Sequence, residues 1–314
     1  MRIGVFGSGG VGGYFGGRLA EAGEDVRFVA RGAHLAAMRE RGLRVTSLAG
    51  DFLVHPVRAS DDPGQLGEVD VVLVAVKAWQ VAEAAEGLKP MLGPATFVVP
   101  LQNGIEAPDL LAAALGRDRV LGGLCRIIAW AEEPGHIRHA GVAPSVTFGE
   151  LDAPGSSPRA EALRAAFARA RGVQAEVAPD VRAAMWEKFL FIAATSGLGA
   201  LTRAPAGIIR SQPETRALLR QALGEIHAVA LARGIALPAD GVERTLTFVD
   251  TLPADGTMSM QRDVIEGRPS ELEAQIGAVV RLGEAGGVPV PLHRTIYAAL
   301  LPLERRARGV LEFT

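Results

Sequence analysis

The chain has 314 residues, 48% hydrophobic and 22% charged, with a formal net charge of −2. That balance describes a globular protein with ample apolar side chains for one large domain or two moderate ones. The near-neutral charge and the lack of a long Lys/Arg run exclude a basic nucleic-acid-binding stripe. The single cysteine, Cys125, excludes an internal disulfide. Apolar runs such as 71–76 and 189–194 are too short to span a bilayer. No basic n-region precedes an apolar stretch at the start, so the expectation is a cytoplasmic protein away from membranes.

In chain order, "RIGVFG" is a short β-branched run followed by a glycine cluster. "YFGGRLAEAG" then has helical spacing and a stop at Gly23. "DVRFVAR" reads as the next strand and "GAHLAAMRERG" as the next helix. "VDVVLVAVK" is apolar throughout, as a parallel strand buried on both faces should be. "QVAEAAEGLKPML" (helix), "TFVVPLQNG" (strand and turn), "APDLLAAALG" (helix) and "RVLGGLCRIIAWA" (strand) continue the alternation, which argues for a doubly wound parallel sheet. "HIRHAG" and "SVTFGE" look like a strand pair near its edge, and "SSPRAEALRAAFARARG" closes the half with a Ser-capped helix. Beyond about residue 178 strand signals vanish. "PDVRAAMWEKFLFIAATSGLGALT", "QPETRALLRQALGEIHAVALARG", "ADGVERTLTFVDTL" and "SELEAQIGAVVRLGEAGG" all carry helical periodicity. The expected domains are therefore 1–178 and 179–314, with the boundary at the Pro179–Asp180 helix start. The basic "ERRARG" near the end reads as a solvated helix end.

The glycines at 7, 9 and 12 directly follow a strand and open a helix. In that setting Gly7 permits a tight turn, Gly9 admits a diphosphate to the backbone, and Gly12 lets the helix pack on the strand. Ser8, Gly10 and Val11 complete the turn, whose helix N-terminus favours negative charge. The expected fold is thus a Rossmann-type doubly wound parallel sheet followed by an all-helical C-terminal domain. Arg31 ends the second strand, with no carboxylate from 26 to 38; a guanidinium suits the 2′-phosphate of NADP and a carboxylate would repel it. Lys77 and Asn103 close two further strands, where ligands of open α/β sheets bind. Either could contact cofactor or substrate, or simply mark a surface charge and a turn.

Lys188 is the one cation in 188–201, on a helix face shared with Ile192 and Ser196. An ammonium in so apolar a helix either snorkels to water or lines a cleft between the halves, where it would serve as a proton donor. The histidines show no ligand spacing beyond His136 and His139, so no metal site is expected.

Taken together, "GSGGVGGYFGGRLAEAG", Arg31, "VAVKAWQ", "LQNG", "MWEKF" and "SMQRDVIEGRPSELEAQIG" resemble the ketopantoate reductase (2-dehydropantoate 2-reductase) family over nearly the whole chain. The resemblance implies NADPH-dependent reduction of a small 2-oxo acid, ketopantoate, on the route to pantothenate and coenzyme A. It implies Lys188 as general acid, and Glu271 as the carboxylate that places it and the substrate hydroxyl. Lys77 and Asn103 would contact cofactor and substrate, Ser259 would hold the substrate carboxylate, and Asp263 would be a structural acid. Ile192, Ser196, Ala206 and Gly256 stand where the family often has Asn. That leaves Ser196 as the polar substrate contact on the lysine helix and implies a less polar pocket. A paralogous reductase for a more apolar 2-oxo acid or an imine, or a non-catalytic NADP-sensing protein, is the alternative. β-Hydroxyacid and 6-phosphogluconate dehydrogenases share the two-part plan, but their glycine-flanked lysine motif is missing around Lys188. The helical half could pair with a second copy to give a homodimer, though no heptad pattern marks a face.

Overall fold

The computed structural model describes residues 1–312 and divides into two compact units. The first comprises Met1–Gln102 and Ala107–Val181; the second comprises Asn103–Glu106 and the chain from Arg182 onward. The four residues 103–106, expected within the first domain, thus group with the second.

In the first unit, β1 (Arg2–Phe6), α1 (Gly10–Glu21), β2 (Asp25–Val29) and α2 (Gly32–Arg41) form the opening strand–helix alternation. Then come β3 (Leu43–Thr46), β4 (Phe52–Val54), β5 (Arg58–Ser60), β6 (Val69–Val74), α3 (Val81–Gly87), β7 (Leu92–Pro100) and α4 (Ala107–Leu115). β8 (Leu121–Glu133), β9 (His136–Glu150), α5 (Pro158–Ala168) and β10 (Gln174–Val177) complete it. One sheet has the order β5-β2-β1-β6-β7, parallel throughout, which is the doubly wound order with β1 at the switch point.

The second sheet, β10-β9-β3-β4 with β8 against β9, departs from the sequence expectation. β8 was expected to extend the parallel sheet but runs antiparallel to β9, and the two segments expected as a pair at its edge are one strand, β9. β9 also pairs with β3 through 136–138 and with β10 through 145–148.

Two sheets in one unit explain the density of glycines in α1. A Cβ on Gly12 or Gly16 would collide with Val5 of the parallel sheet, at 2.9 and 2.7 Å. One on Gly10 or Gly13 would meet Ala129 or Ile137 of β8 and β9, at 2.3 and 2.7 Å. The helix is wedged between two sheets, and its large side chains Tyr14, Phe15 and Leu19 are fully buried.

The second unit is helical, as expected: α6 (Val181–Thr202), α7 (Ala206–Ser211), α8 (Pro213–Ala232), α9 (Gly241–Asp250), α10 (Ser259–Ile265), α11 (Ala278–Ala285) and α12 (Pro291–Ala307). A π-helical turn, Glu273–Gly277, leads into α11. No helix among the described residues is long and apolar enough to cross a membrane.

Candidate active site

In the first unit, the turn between β1 and α1 has the geometry that its glycines imply. Gly7 has φ +98°, a left-handed conformation that only glycine adopts without strain. A Cβ on Gly12 would sit 1.9 Å from the Gly7 carbonyl, so the helix meets the turn with no room for a side chain. Gly9, in contrast, has nothing within 4 Å of a would-be Cβ. It caps α1 without a side-chain hydrogen bond, leaving the first amides of the helix, at Gly10, Val11 and Gly12, free to face an anion. Ser8 is buried beneath the turn. An open backbone at a helix N-terminus fits the diphosphate of a dinucleotide.

Arg31 is the N-cap residue of α2, and its exposed guanidinium reaches Glu83 Oε1 with both terminal nitrogens at 3.2 Å. Lys77 lies three residues past the end of β6 at Val74, rather than on the strand itself. Its ammonium sits 5.7 Å from the Trp79 ring centroid. Gln102, which the sequence reading left without a role, donates from Nε2 to the carbonyls of Val74 and Val76, at 2.9 and 3.0 Å. It ties the end of β7 to the end of β6.

In the second unit, a hydrogen-bonded chain joins three of the expected residues. Lys188 Nζ, half-buried on α6, donates to Asn103 Oδ1 at 2.9 Å. Asn103 Nδ2 donates in turn to Glu271 Oε2 at 3.3 Å. The Asn103 amide is thereby oriented from both ends, since its carbonyl can only accept and its NH₂ can only donate. Gly104 makes this possible: with φ +114°, it packs against the π turn so closely that a Cβ would lie 3.0 Å from the Ala274 carbonyl. Arg281 clamps the same segment through Glu106 at 2.8 Å.

Ser259 opens α10, partly buried, and Asp263 is held by the guanidinium of Arg268, as suits a structural acid. Ser196 is fully buried on α6, and among the described residues its hydroxyl has no hydrogen-bond partner. Among the described residues no hydrogen bond joins it to the Lys188–Asn103–Glu271 chain. Ala206 and Gly256 are bonded to each other, amide to carbonyl at 2.9 Å, so backbone pins the two segments where amide side chains were absent from the sequence. Gln275, one turn after Glu271, donates to its Oε2 at 3.4 Å; the i, i+4 spacing was the available signal, and it went unread.

The family model described as ketopantoate reductase PanE/ApbA matches residues 3–153, and its C-terminal counterpart matches 180–304. An uncharacterized oxidoreductase, YkpB of Bacillus subtilis, is 32% identical over 96% of this chain and 98% of its own length. A 2-dehydropantoate 2-reductase of Mesorhizobium japonicum is 33% identical over 98% of both. The crystal structure of a PanE/ApbA family ketopantoate reductase from Ralstonia eutropha superposes with a TM-score of 0.88 at 34% identity, covering 98% of this chain and 100% of that one. By sequence in both of its parts and by fold, the chain belongs to the ketopantoate reductase family, oxidoreductases that act on CH–OH groups.

Proposed function

We propose that the protein reduces a 2-oxo acid to the 2-hydroxy acid with NADPH, ketopantoate being the first candidate substrate. The observation that carries this reading is the Lys188–Asn103–Glu271 chain, a half-buried ammonium held in place by an amide that a carboxylate orients. The Gly7–Gly12 turn would hold the diphosphate of NADPH, Arg31 its 2′-phosphate and Lys77 its ribose, and the hydride would come from the bound cofactor. The chain's own residues handle the rest. Lys188 donates one of its three ammonium protons to Asn103. In the reaction the ammonium turns a proton to the keto oxygen, stabilises the negative charge that develops there and then transfers that proton. Ser259 binds the substrate carboxylate, and Glu271 accepts from the substrate hydroxyl.

A second reading has an observation of its own. Ile192 and Ser196 are buried on the lysine helix, and the Ala206 amide donates to the Gly256 carbonyl while the Gly256 amide donates to Pro253. Few side-chain amides remain to bind polar groups, which favours a bulkier, more apolar 2-oxo acid or an imine. The test is the loss of near-ultraviolet absorbance of the reduced nicotinamide when NADPH is mixed with ketopantoate and a panel of 2-oxo acids and imines. Fastest turnover of ketopantoate supports the first reading and of an apolar acid the second. Tight NADPH binding with no oxidation of any kind would instead mark a sensor and defeat both.

A further inference from the structure

Two separate devices place the Glu271 carboxylate. Its backbone is set by Glu304 of α12, whose two oxygens accept from the Ser270 amide at 3.2 and 3.0 Å and from the Ser270 hydroxyl at 2.5 Å. Arg308 completes the latch, bonding to Glu304 at 2.6 Å and to the Ser270 carbonyl at 3.1 Å. The latch fixes the residue that precedes Glu271. Two amides reach its Oε2, Asn103 Nδ2 at 3.3 Å and Gln275 Nε2 at 3.4 Å. Asn103 is also bonded to Lys188, so it follows the lysine as well as the carboxylate. Gln275 is anchored independently, on the π turn and with no exposed surface.

The fold gains little from a glutamine there. Its Oε1 is buried and, among the described residues, has no hydrogen-bond partner; the same is true of Ser196 Oγ. Gly197 beside that serine faces Ile276 beside Gln275, a Cβ there falling 2.7 Å from the Ile276 side chain. A buried polar atom without a partner is a net cost, and an apolar side chain of equal length would remove it. The one thing the glutamine supplies that such a side chain cannot is the N–H toward Glu271.

We propose that Gln275 is a positioning residue: it holds the Glu271 carboxylate in the rotamer that meets Asn103 and so sets the edge of the site that reads a substrate hydroxyl. The substrate class invoked here rests on the function proposed above. π turns commonly occur at functional sites, and Gln275 lies on this one, its backbone amide donating to the Glu271 carbonyl at 3.0 Å.

The test compares the wild type with Gln275→Met, and with Gln275→Leu should the first variant fail to fold. Steady-state kinetics are measured with ketopantoate and with its analogue bearing hydrogen in place of the hydroxyl. The expected result is a loss of about tenfold in kcat/KM for the hydroxylated acid, a change of less than about threefold for the analogue, and an unchanged or higher Tm. Equal losses on both acids with a lower Tm would show a packing residue, and no loss on either would show a bystander; each overturns the proposal. Crystal structures of the two proteins give a readout independent of turnover. Glu271 Oε2 should leave Asn103 in the variant, and an unmoved carboxylate overturns the proposal. If the wild type oxidises NADPH with no 2-oxo acid, the substrate reading alone fails, and the crystallographic comparison still decides the role of Gln275.

Discussion

An ammonium half-buried among apolar side chains is costly unless it is hydrogen-bonded, and Lys188 is bonded to an amide rather than left to reach for water. The sequence could not choose between these fates, because the partner, Asn103, lies 85 residues away and arrives only through the Gly104 turn. Replacing Lys188 with Ala should lower kcat by about 10²–10⁴, the usual worth of a positioned general acid. NADPH binding, followed by fluorescence of the reduced nicotinamide, should be unaffected. A variant of near-normal turnover removes Lys188 from the chemistry. Arg31 makes a different kind of prediction. It is 65% exposed and engages Glu83, which is 66% exposed, so the pair contributes little to stability and the guanidinium can turn to a phosphate. Arg31→Ala should weaken NADPH about 10- to 100-fold, the range for losing hydrogen bonds to a charged group, and leave NADH affinity nearly unchanged. An equal effect on both dinucleotides would mean that Arg31 does not read the 2′-phosphate.

At the scale of elements, α1 separates two uses of glycine that its sequence presents as one cluster. Gly12→Ala forces a methyl against the Gly7 carbonyl and should destabilise the fold by about 1–3 kcal/mol or more, read as a lowered Tm. Gly9→Ala meets open space at an ordinary negative φ, so Tm should stay near the wild-type value while dinucleotide affinity falls. If Gly9→Ala binds NADPH normally, nothing docks against that part of the turn. The strand–turn–helix unit was legible because period, glycine spacing and position all agreed. The second sheet was not. β3, β4 and β10 are three or four residues each, too short for alternation to register. β9 carries Gly141, at φ +73°, and Pro144, which read as a break. Both lie in the stretch between its pairings with β3 and β10, while β8 bridges the interruption from the other side. Of the site, Lys188, Asn103 and Glu271 were legible through family resemblance. Their bonding order, and the latch from Glu304 on α12 to Ser270, join residues far apart in the sequence and leave no local pattern, whereas Gln275 left its i, i+4 spacing.

At the scale of the whole chain, stability against acid should depend on a group remote in sequence from every expected site residue. Glu225 on α8 is buried, and burial pushes its carboxyl upward. Hydrogen bonds from the His293 side chain, from the Leu292 and His293 amides and from Gln221 outweigh that effect and bring the net shift below the ordinary value. The two amides belong to the first turn of α12, so the carboxylate both satisfies unpaired N–H groups and faces the positive end of the helix. A carboxyl depressed in the native state confers stability that is complete above the unfolded-chain value of about 4.3. That stability is lost as the pH falls through the lower native value, because the unfolded chain then takes up the proton first. Glu225→Gln should therefore lower stability near neutral pH by about 1–3 kcal/mol, the cost of weakening buried hydrogen bonds to a charged acceptor. It should also flatten the fall in stability on acidification below about pH 4.3. Urea unfolding of both proteins across that range measures the two effects together. Parallel curves, offset but of equal slope in pH, would mean that the carboxylate's charge is not what holds α8 to the start of α12.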